Sequence, residues 1–438
     1  MIGNGWKQAP PLDLVLLLLL IPAQIELFSH GDYFLIMLLM MYVGVTLWWP
    51  LSDLEQLPEK FGSQRLVFLL RLSLIFLILL ITPIAIVLQN IQTRLVAEAG
   101  QGDLVTAYLH LHDGAYQVEL AVDYLLAGVN PYVASYDDVL LTIYQDPEIE
   151  VNPAIEHMIY LPGLLLVTLP FRSLITAFFG FYDQRLLYLV AYVLFVLILP
   201  AVVKKPTHKL ALLIGVALNP WLTLPISRGM NDIMVILFFL LAVLLLHKKR
   251  PMGGAVLFGL ACTMKQSAWL ASPFFLLAIY LAAPLTKRWR QMGTAVILIT
   301  VVMIIIIGPF ALWDLPAFID DTFAYASGTA ISLNYPIRGY TLGRLLVAFG
   351  VVETAVDYYP FWRLQLLFGL PLLLVCLLYQ WRQRTLQHMF LAATFFIFGL
   401  GFVSRFFQDN YVGFVITLAL IGLFPTFPNT AEITITEP

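Results

Sequence analysis

Long runs of apolar residues, separated by short polar stretches, make up most of the chain from residue 12 onward. A helix needs about 20 mainly apolar residues to cross the roughly 30 Å hydrocarbon layer of a membrane. Twelve runs approach that length, and they predict transmembrane helices at 12–29, 33–50, 66–89, 186–203, 208–225, 232–247, 252–266, 267–283, 292–313, 362–381, 388–404 and 409–425. The expected fold is an all-α polytopic membrane protein.

The composition agrees with this pattern. With 61% hydrophobic and 12% charged residues, a chain of 438 residues is too apolar for a soluble domain. The net charge is −3 and no long basic block occurs, so nucleic acid is not an expected partner. Cys262 and Cys376 lie in apolar runs and are expected to be inert. The run after Lys7 lacks a small-residue cleavage site and predicts a retained first span.

One further apolar segment, 161–179, is interrupted by two prolines and an arginine. If this segment does not cross, the basic clusters between the spans all share one side, which the positive-inside rule assigns to the cytoplasm. These clusters are Lys7, the 52–65 loop, 204–209, 247–250, 286–290 and 381–384. We therefore predict a re-entrant or interfacial helix at 161–179 and a cytoplasmic N-terminus in the plasma (inner) membrane.

The same topology places two long loops, 90–185 and 314–360, on the outer face. Residues 90–160 hold 11 acidic residues against one basic residue, Arg94. Long ordered loops of this kind are usually functional. We expect a single polytopic domain over 1–425, with amphipathic and re-entrant helices in its outer loops, followed by a tail at 426–438.

The stretch "HLHDGAYQVELAVDYLLAGVNPY" at 110–132 stands out in the first loop. From Asp113, one helical face carries Gln117, Leu120 and Tyr124. Gly128 then marks the helix end, and Asn130-Pro131 a turn. Asp113 therefore lies at the start of a short amphipathic helix, where it acts either as an N-cap or as a functional carboxylate.

Three later motifs bring further polar residues to the ends of spans: "EHMIYLPG" (156–163), "SRGMND" (227–232) and "GLACTMKQSAW" (259–269). Arg228 and Asp232 are placed at the outer end of one span. Lys265 lies between two spans, and an unpaired ammonium in hydrocarbon costs at least about 2.5 to 3.5 kcal/mol. Lys265 is therefore expected to face a cavity or an anion.

Taken together, "HDGAYQVELAVDYLLAGVNPY", "YLPG", "GMND" and "MKQSAW" resemble the integral-membrane glycosyltransferases of the C fold (GT-C). They are similar in order and membrane side to the bacterial branch that includes polyprenol-phosphate-mannose-dependent mannosyltransferases. In that family, an acidic residue at the start of the first large outer loop is the catalytic base. Asp113 is the matching position.

The resemblance implies an inverting transfer of a sugar, with mannose as one option, from a polyprenyl-phosphate donor to a lipid or glycan acceptor on the outer face. Asp113 would remove the acceptor proton, while Lys265, Arg228 and Arg338 are candidates to stabilise the leaving phosphate. The expected substrate-binding residues are Tyr116, Glu119, Tyr160, Arg228, Asn231, Asp232, Lys265, Gln266, Trp269 and Arg338.

Structural roles compete with several of these assignments. Asn231 and Asp232 begin a span, so helix capping explains them as well as substrate binding does. For each of the three aromatic residues, ordinary packing or anchoring at the membrane interface is the alternative. Arg405 and Asp409 lie near span ends, where snorkelling or interhelix pairing is the default.

No cofactor is expected. A divalent metal stays open but is not indicated, since the "HLH" pair with His157 lacks a further ligand motif. A secondary transporter is the main alternative function, although paired broken helices in matching halves are missing from the pattern. A non-catalytic membrane subunit that retains the glycosyltransferase fold is the other alternative, because a fold does not guarantee activity.

Overall fold

The computed structural model describes residues 11–25, 32–51, 62–137, 144 and 152–424. Lys7, most of the 52–65 loop and the predicted tail at 426–438 lie outside the described residues, as do four of the acidic residues of the 90–160 loop.

Nearly all of the described secondary structure is helical, in agreement with the expected all-α fold. The helices are α1 (Leu12–Ile25), α2 (Asp32–Trp48), α3 (Ser63–Glu98), α4 (Leu104–Leu109), α5 (Asp113–Leu126), α6 (Pro162–Phe179), α7 (Arg185–Ile198), α8 (Pro206–Ala217), α9 (Pro220–Arg228), α10 (Asp232–His247), α11 (Pro251–Cys262), α12 (Ser267–Ala282), α13 (Arg288–Trp313), α14 (Leu315–Ile319), α15 (Tyr325–Ser327), α16 (Leu342–Ala348), α17 (Phe361–Leu364), α18 (Leu370–Gln383), α19 (Leu386–Phe402) and α20 (Asp409–Leu423).

Short irregular helices and one two-stranded sheet complete the secondary structure. The 3₁₀ segments are Pro153–Ile155, Leu199–Val202 and Leu285–Lys287, and the π-helical segments are Asp320–Ala324 and Gln365–Gly369. Strands β1 (Arg338–Gly339) and β2 (Phe406–Phe407) pair in parallel.

Five helical segments of the described chain are long and apolar enough to cross a membrane, and a bent pair adds a sixth if it counts as one span. The five are Ser63–Glu98, Pro162–Phe179, Arg185–Val202, Leu285–Trp313 and Phe361–Gln383. The bent pair is Pro206–Ala217 with Pro220–Arg228, which meet at 49°. These helices indicate a protein embedded in a membrane.

Eleven of the twelve predicted spans fall on one apolar helix each, and the twelfth, 208–225, falls on the bent pair α8 and α9. Seven of the eleven helices have only 10–17 residues. That length is below the roughly 20 residues of a full crossing, so the count of twelve is not confirmed. Segment 161–179 forms a continuous helix that is long enough to span. Its re-entrant assignment stays a prediction.

The third helix is longer than the apolar run indicated. Sequence predicts 66–89, whereas α3 continues to Glu98 over 36 residues. The loop expected from residue 90 therefore begins as helix, and Arg94 belongs to α3. Polar side chains continue the helix because the buried Arg94 finds carboxylate partners in the tertiary structure.

Three of the basic clusters connect consecutive helices. Lys265, just after α11, contacts Asp232 at the start of α10. Since α10 has 16 residues and a helix rises about 1.5 Å per residue, the 247–250 cluster lies about 24 Å from that contact. The clusters at 286–290 and 381–384 likewise connect α12 to α13 and α18 to α19.

Candidate active site

The start of α5 brings His112 and Asp113 together. The N-cap is His112, whose Nδ1 accepts a hydrogen bond from the Gly114 N–H at 3.0 Å. Asp113 is the first helical residue, and its Oδ1 and Oδ2 accept from Gly114 N at 2.7 Å and Asn152 Nδ2 at 3.0 Å. The N-cap role considered for Asp113 therefore belongs to His112. The Asp113 side chain keeps 28% of its surface exposed.

The two side chains are electrostatically coupled, with Nδ1 of His112 3.0 Å from Oδ1 of Asp113. Burial alone raises the pKa of Asp113, but His112, Asn152 and the Gly114 N–H outweigh it and hold that pKa well below its usual range. Burial alone lowers the pKa of His112, but the Asp113 carboxylate reverses this and raises that pKa. Asp113 is therefore ionised at neutral pH and can accept a hydrogen bond or a proton.

The turn after α9 fixes this helix start in place. The His112 N–H donates to the carbonyl of Arg228 at 2.7 Å. Gly229 adopts a φ of +91°, and a Cβ there would lie 2.8 Å from the Ala115 Cβ. Only glycine allows this left-handed turn to approach α5 so closely. The motif "SRGMND" therefore places Arg228, an exposed side chain, beside the Asp113 segment.

Lys265 and Asp232, which the sequence placed near one membrane face, form a buried ion pair. The Lys265 Nζ lies 2.8 Å from Asp232 Oδ1 and 4.7 Å from the centroid of the Tyr411 ring. Asn410 Nδ2 donates to Asp232 Oδ2 at 2.7 Å. The anion expected beside Lys265 is therefore a protein carboxylate. Asn231, the residue before Asp232, occupies the N-cap position of α10, but its side chain forms no capping hydrogen bond.

Electrostatic effects connect this pair with Asp113. The Lys265 ammonium lowers the pKa of His112, and the Asp409 carboxylate raises it. Burial lowers the pKa of Arg338, and Asp113 raises it. The convergence of Asp113, Arg228, Asp232 and Lys265 on one site stays a prediction.

Tyr160 lies directly against the start of α5. A Cβ on Gly114 would be 1.9 Å from the Tyr160 hydroxyl oxygen, which shows how closely that hydroxyl approaches the backbone next to Asp113. Burial and the nearby Asp113 carboxylate raise the pKa of Tyr160 well above its usual value. Of the predicted aromatic residues, Tyr160 is therefore placed beside the carboxylate.

Gln266 and Trp269 make contacts that organise the backbone. Gln266 Nε2 donates to the carbonyls of Ile159 and Thr322 at 3.3 and 3.2 Å. Trp269 Nε1 donates to the Cys262 carbonyl at 2.7 Å. These bonds use the amide nitrogen of Gln266 and the indole nitrogen of Trp269, and the expected contacts of both residues with substrate stay predictions.

Tyr116 and Glu119 point into a separate ionic network. Both Glu119 oxygens accept from the Arg94 guanidinium, at 3.0 and 2.8 Å, and Oε1 also accepts from Gln184 N at 2.7 Å. The Arg94 guanidinium carbon lies 5.7 Å from the Tyr116 ring centroid. This network explains Glu119 without a substrate. An open cavity of about 410 Å³ lies beside it, lined in part by Asp123.

Arg338 lies on β1, which a buried arginine holds in place. The Arg338 N–H donates to the carbonyl of Arg405 at 3.2 Å, within the pairing of β1 with β2. The Arg405 guanidinium donates to the carbonyls of Tyr335, Ala355, Val356 and Asp357. Loop 334–357, which carries Arg338, is therefore fastened to the end of α19.

Sequence reasoning missed Asn152 and Asn410, and it gave Arg405 a default role near a span end. Asn152 and Asn410 contact the two carboxylates that the sequence did single out, Asp113 and Asp232. The sequence signal was weak, because a lone asparagine in a loop or at a span end is ordinary. A polar run between two apolar runs, "SRFFQDN" at 404–410, was the available clue.

Within the described part of the chain, one group of side chains has the spacing of a cation site: His157, Asp320 and Asp321. Their ligand atoms lie within 4.8 Å of one another. Sequence analysis considered His157 together with the "HLH" pair and not with the two aspartates, which follow more than 160 residues later.

The chain was compared with known proteins once this geometry was established. The family model of glycosyltransferase family 87 matches residues 159–403, more than half of the chain. The match includes Tyr160, Asp232, Lys265 and Arg338 and begins after Asp113. Comparisons with curated proteins and with solved structures gave no match. The chain therefore belongs to glycosyltransferase family 87.

Proposed function

We propose that this membrane glycosyltransferase moves a sugar, with mannose as the first candidate, from a polyprenyl-phosphate donor to a lipid or glycan acceptor. The reaction takes place on the outer face of the plasma membrane, with the basic clusters on the cytoplasmic side. The proposal rests on the family membership together with the resemblance of the 110–132 and 227–269 segments to polyprenol-phosphate-mannose-dependent enzymes.

The observation that carries the proposal is the environment of Asp113. Its carboxylate is ionised and partly exposed. The backbone of Arg228 accepts a hydrogen bond from the neighbouring His112 N–H, and Asp113 acts electrostatically on Arg338. A general base must be unprotonated before it acts, and a departing phosphate needs positive charge close by. Arg228 and Arg338 suit the phosphate better than Lys265 does, because Asp232 already neutralises the Lys265 ammonium.

The proposed step is a single displacement. The acceptor oxygen forms a bond to the anomeric carbon, and the bond from that carbon to the phosphate oxygen breaks. The electron pair leaves with polyprenyl phosphate, and the acceptor proton passes to Asp113. Since attack and departure occur on opposite faces of the carbon, the product has the inverted configuration. Tyr160, whose hydroxyl lies against Gly114 next to Asp113, is the proposed contact for the sugar.

The test is sugar transfer by Asp113→Asn with a panel of polyprenyl-phosphate sugars. Loss of a general base lowers turnover by roughly 10²-fold to 10⁴-fold, and the thermal melt should stay near that of the wild type. Asp103→Asn is the matched control, because Asp103 is an exposed carboxylate that caps α4 and asparagine caps equally well. It should transfer sugar normally.

A wild-type rate for Asp113→Asn would remove Asp113 as the base and direct attention to Glu119, Asp123 and Asp232. The same panel separates the alternative functions. A transporter would move the donor across the membrane of a reconstituted vesicle without forming a glycosidic bond. A non-catalytic subunit would form no product with any donor, whatever residue stands at 113.

A further inference from the structure

Three side chains from distant parts of the chain meet beside the π-helical segment Asp320–Ala324. The Nδ1 of His157 lies 2.9 Å from Oδ1 of Asp321 and 3.8 Å from Oδ2 of Asp320. Two ligands of one divalent cation, each about 2.1 Å from it and at a right angle, are about 3 Å apart. The spacing of these donors therefore fits a shared ion.

The other polar atom of each side chain is held by a separate partner. His157 Nε2 lies 3.0 Å from Ser332 Oγ. Oδ2 of Asp321 accepts from the Met158 N–H at 2.9 Å, and Asp320 Oδ1 accepts from the Ile331 N–H at 3.1 Å. Outer contacts of this kind orient the ligands in known metal sites. Each side chain keeps one atom turned towards the other two.

The electrostatics of the cluster call for positive charge. The side chains of His157, Asp320 and Asp321 are only 2%, 16% and 6% exposed. Two carboxylates, one buried and one half-buried, lie side by side with no lysine or arginine of the described chain paired to them. Charges taken out of water are costly unless they are fully compensated.

A further polar group beside the cluster lacks a partner. The Tyr325 ring stacks on the His157 imidazole with centroids 4.4 Å apart, and its buried hydroxyl has no hydrogen-bond partner among the described residues. Buried polar groups are usually satisfied by protein or by ordered water. A hydrated ion next to the imidazole would bring water towards this hydroxyl.

We propose that His157, Asp320 and Asp321 bind one divalent cation of the Mn²⁺ and Mg²⁺ class. Two carboxylates favour these ions, an imidazole is a good ligand for Mn²⁺, and the set contains no thiolate that would select a softer metal. Water completes the coordination shell. This site is distinct from the Asp113 region, and it does not depend on the proposed sugar transfer.

The cation has a structural role next to the candidate active site. His157 belongs to the same segment as Asn152, which donates to Asp113. Gln117 of α5 also holds this segment, through the carbonyls of Ala154 and His157 at 2.6 and 2.8 Å. The ion would join the segment that contains Asn152 and His157 to the π-helical segment at Asp320. It would thereby fix the position of Asn152 against the Asp113 carboxylate.

The experiment uses the full chain, purified in detergent, stripped with EDTA and titrated with Mn²⁺ in the absence of any sugar donor. Electron paramagnetic resonance of free Mn²⁺ measures binding, and pulsed measurements detect nitrogen coupling from a ligating imidazole. We expect one saturable Mn²⁺ per chain with nitrogen coupling. Loss of outer contacts alone weakens metal binding by about 10-fold to 100-fold, so Asp320→Asn and Asp321→Asn should each lose at least about tenfold.

Asp103→Asn is the control, since it removes an exposed carboxylate far along the chain from the cluster. It should bind Mn²⁺ as the wild type does. If Asp321→Asn does not fold, Asp320→Asn decides, because an asparagine oxygen still accepts from Ile331. Absence of saturable binding at millimolar Mn²⁺ would leave His157 simply hydrogen-bonded to Asp321 and would overturn the site. Binding without nitrogen coupling, or unchanged binding in both variants, would also overturn it.

Discussion

The Lys265 ammonium and the Asp232 carboxylate lie 2.8 Å apart and are almost completely buried. The pair joins the end of α11 to the start of α10, and Asn410 brings α20 to the same carboxylate. From the sequence alone, Lys265 is a costly isolated charge, and its replacement by methionine is expected to stabilise the empty protein. The structure reverses that expectation.

Lys265→Met should destabilise the protein, because it leaves the Asp232 carboxylate buried without its counter-charge. Breaking a buried pair in this way costs about 3–5 kcal/mol. Replacing both partners, as in Lys265→Met with Asp232→Asn, removes both charges and should cost less than either single change. Thermal melts of the three variants form a double-mutant cycle. Additive losses would contradict a direct pairing.

Gly114→Ala should lower the melting temperature, because the new Cβ would lie 1.9 Å from the Tyr160 hydroxyl oxygen. Tyr160→Phe removes that oxygen, so Gly114→Ala should cost less in the Tyr160→Phe background. Gly44→Ala is the control, since nothing lies within 4 Å of its Cβ position in α2. Equal costs in both backgrounds would show that the hydroxyl does not limit the space.

The stability of the protein should depend on pH through His112. Folding raises the pKa of His112 above its ordinary 6.5, so the folded protein holds the proton more tightly than the unfolded chain. The resulting stabilisation is complete below pH 6.5 and is lost as the pH rises through the folded-state pKa. His112→Asn keeps an N-cap oxygen but cannot titrate.

We therefore expect the melting temperature of His112→Asn to fall less than that of the wild type between about pH 6 and about pH 9, a range that spans the ordinary histidine pKa. Asp113→Asn should show the same reduced slope, because it removes the carboxylate that raises the pKa. If the melting temperatures of the wild type, His112→Asn and Asp113→Asn changed in parallel with pH, the Asp113 carboxylate would not be raising the pKa of His112.

Arg405→Lys should loosen loop 334–357 and weaken activity without touching the region around Asp113 directly. The guanidinium of Arg405 is buried and donates to four carbonyls, and a lysine has only three donors on a single nitrogen. Loss of even one charge-assisted bond costs about 1.5–3 kcal/mol.

Limited trypsin digestion measures this loosening at Arg338 and Arg344. Arg363→Lys is the control, since Arg363 is exposed at α17. If trypsin digested the loop of Arg405→Lys at the wild-type rate, the hydrogen bonds of Arg405 would not be what holds loop 334–357 in place.

The helical fold was largely readable from sequence, because burying apolar side chains and satisfying backbone hydrogen bonds inside the helix are local requirements of a membrane segment. Every predicted apolar run is helical, although 208–225 is divided into α8 and α9, and the glycine stop after α5 is confirmed by the φ of +75° at Gly128. Asp113 was also placed correctly at a helix start, since the amphipathic pattern of 110–132 is local.

The partners of the polar residues depended on the tertiary structure. Lys265 and Asp232 are 33 residues apart, and His157 and Asp321 are 164 apart. Which charge meets which is decided by how the helices pack, and a single sequence contains no local signal for that. The length of α3 shows the same limit, because Arg94 near its polar end pairs with carboxylates supplied by α5 and by the loop before α7, in addition to Glu98 of α3 itself.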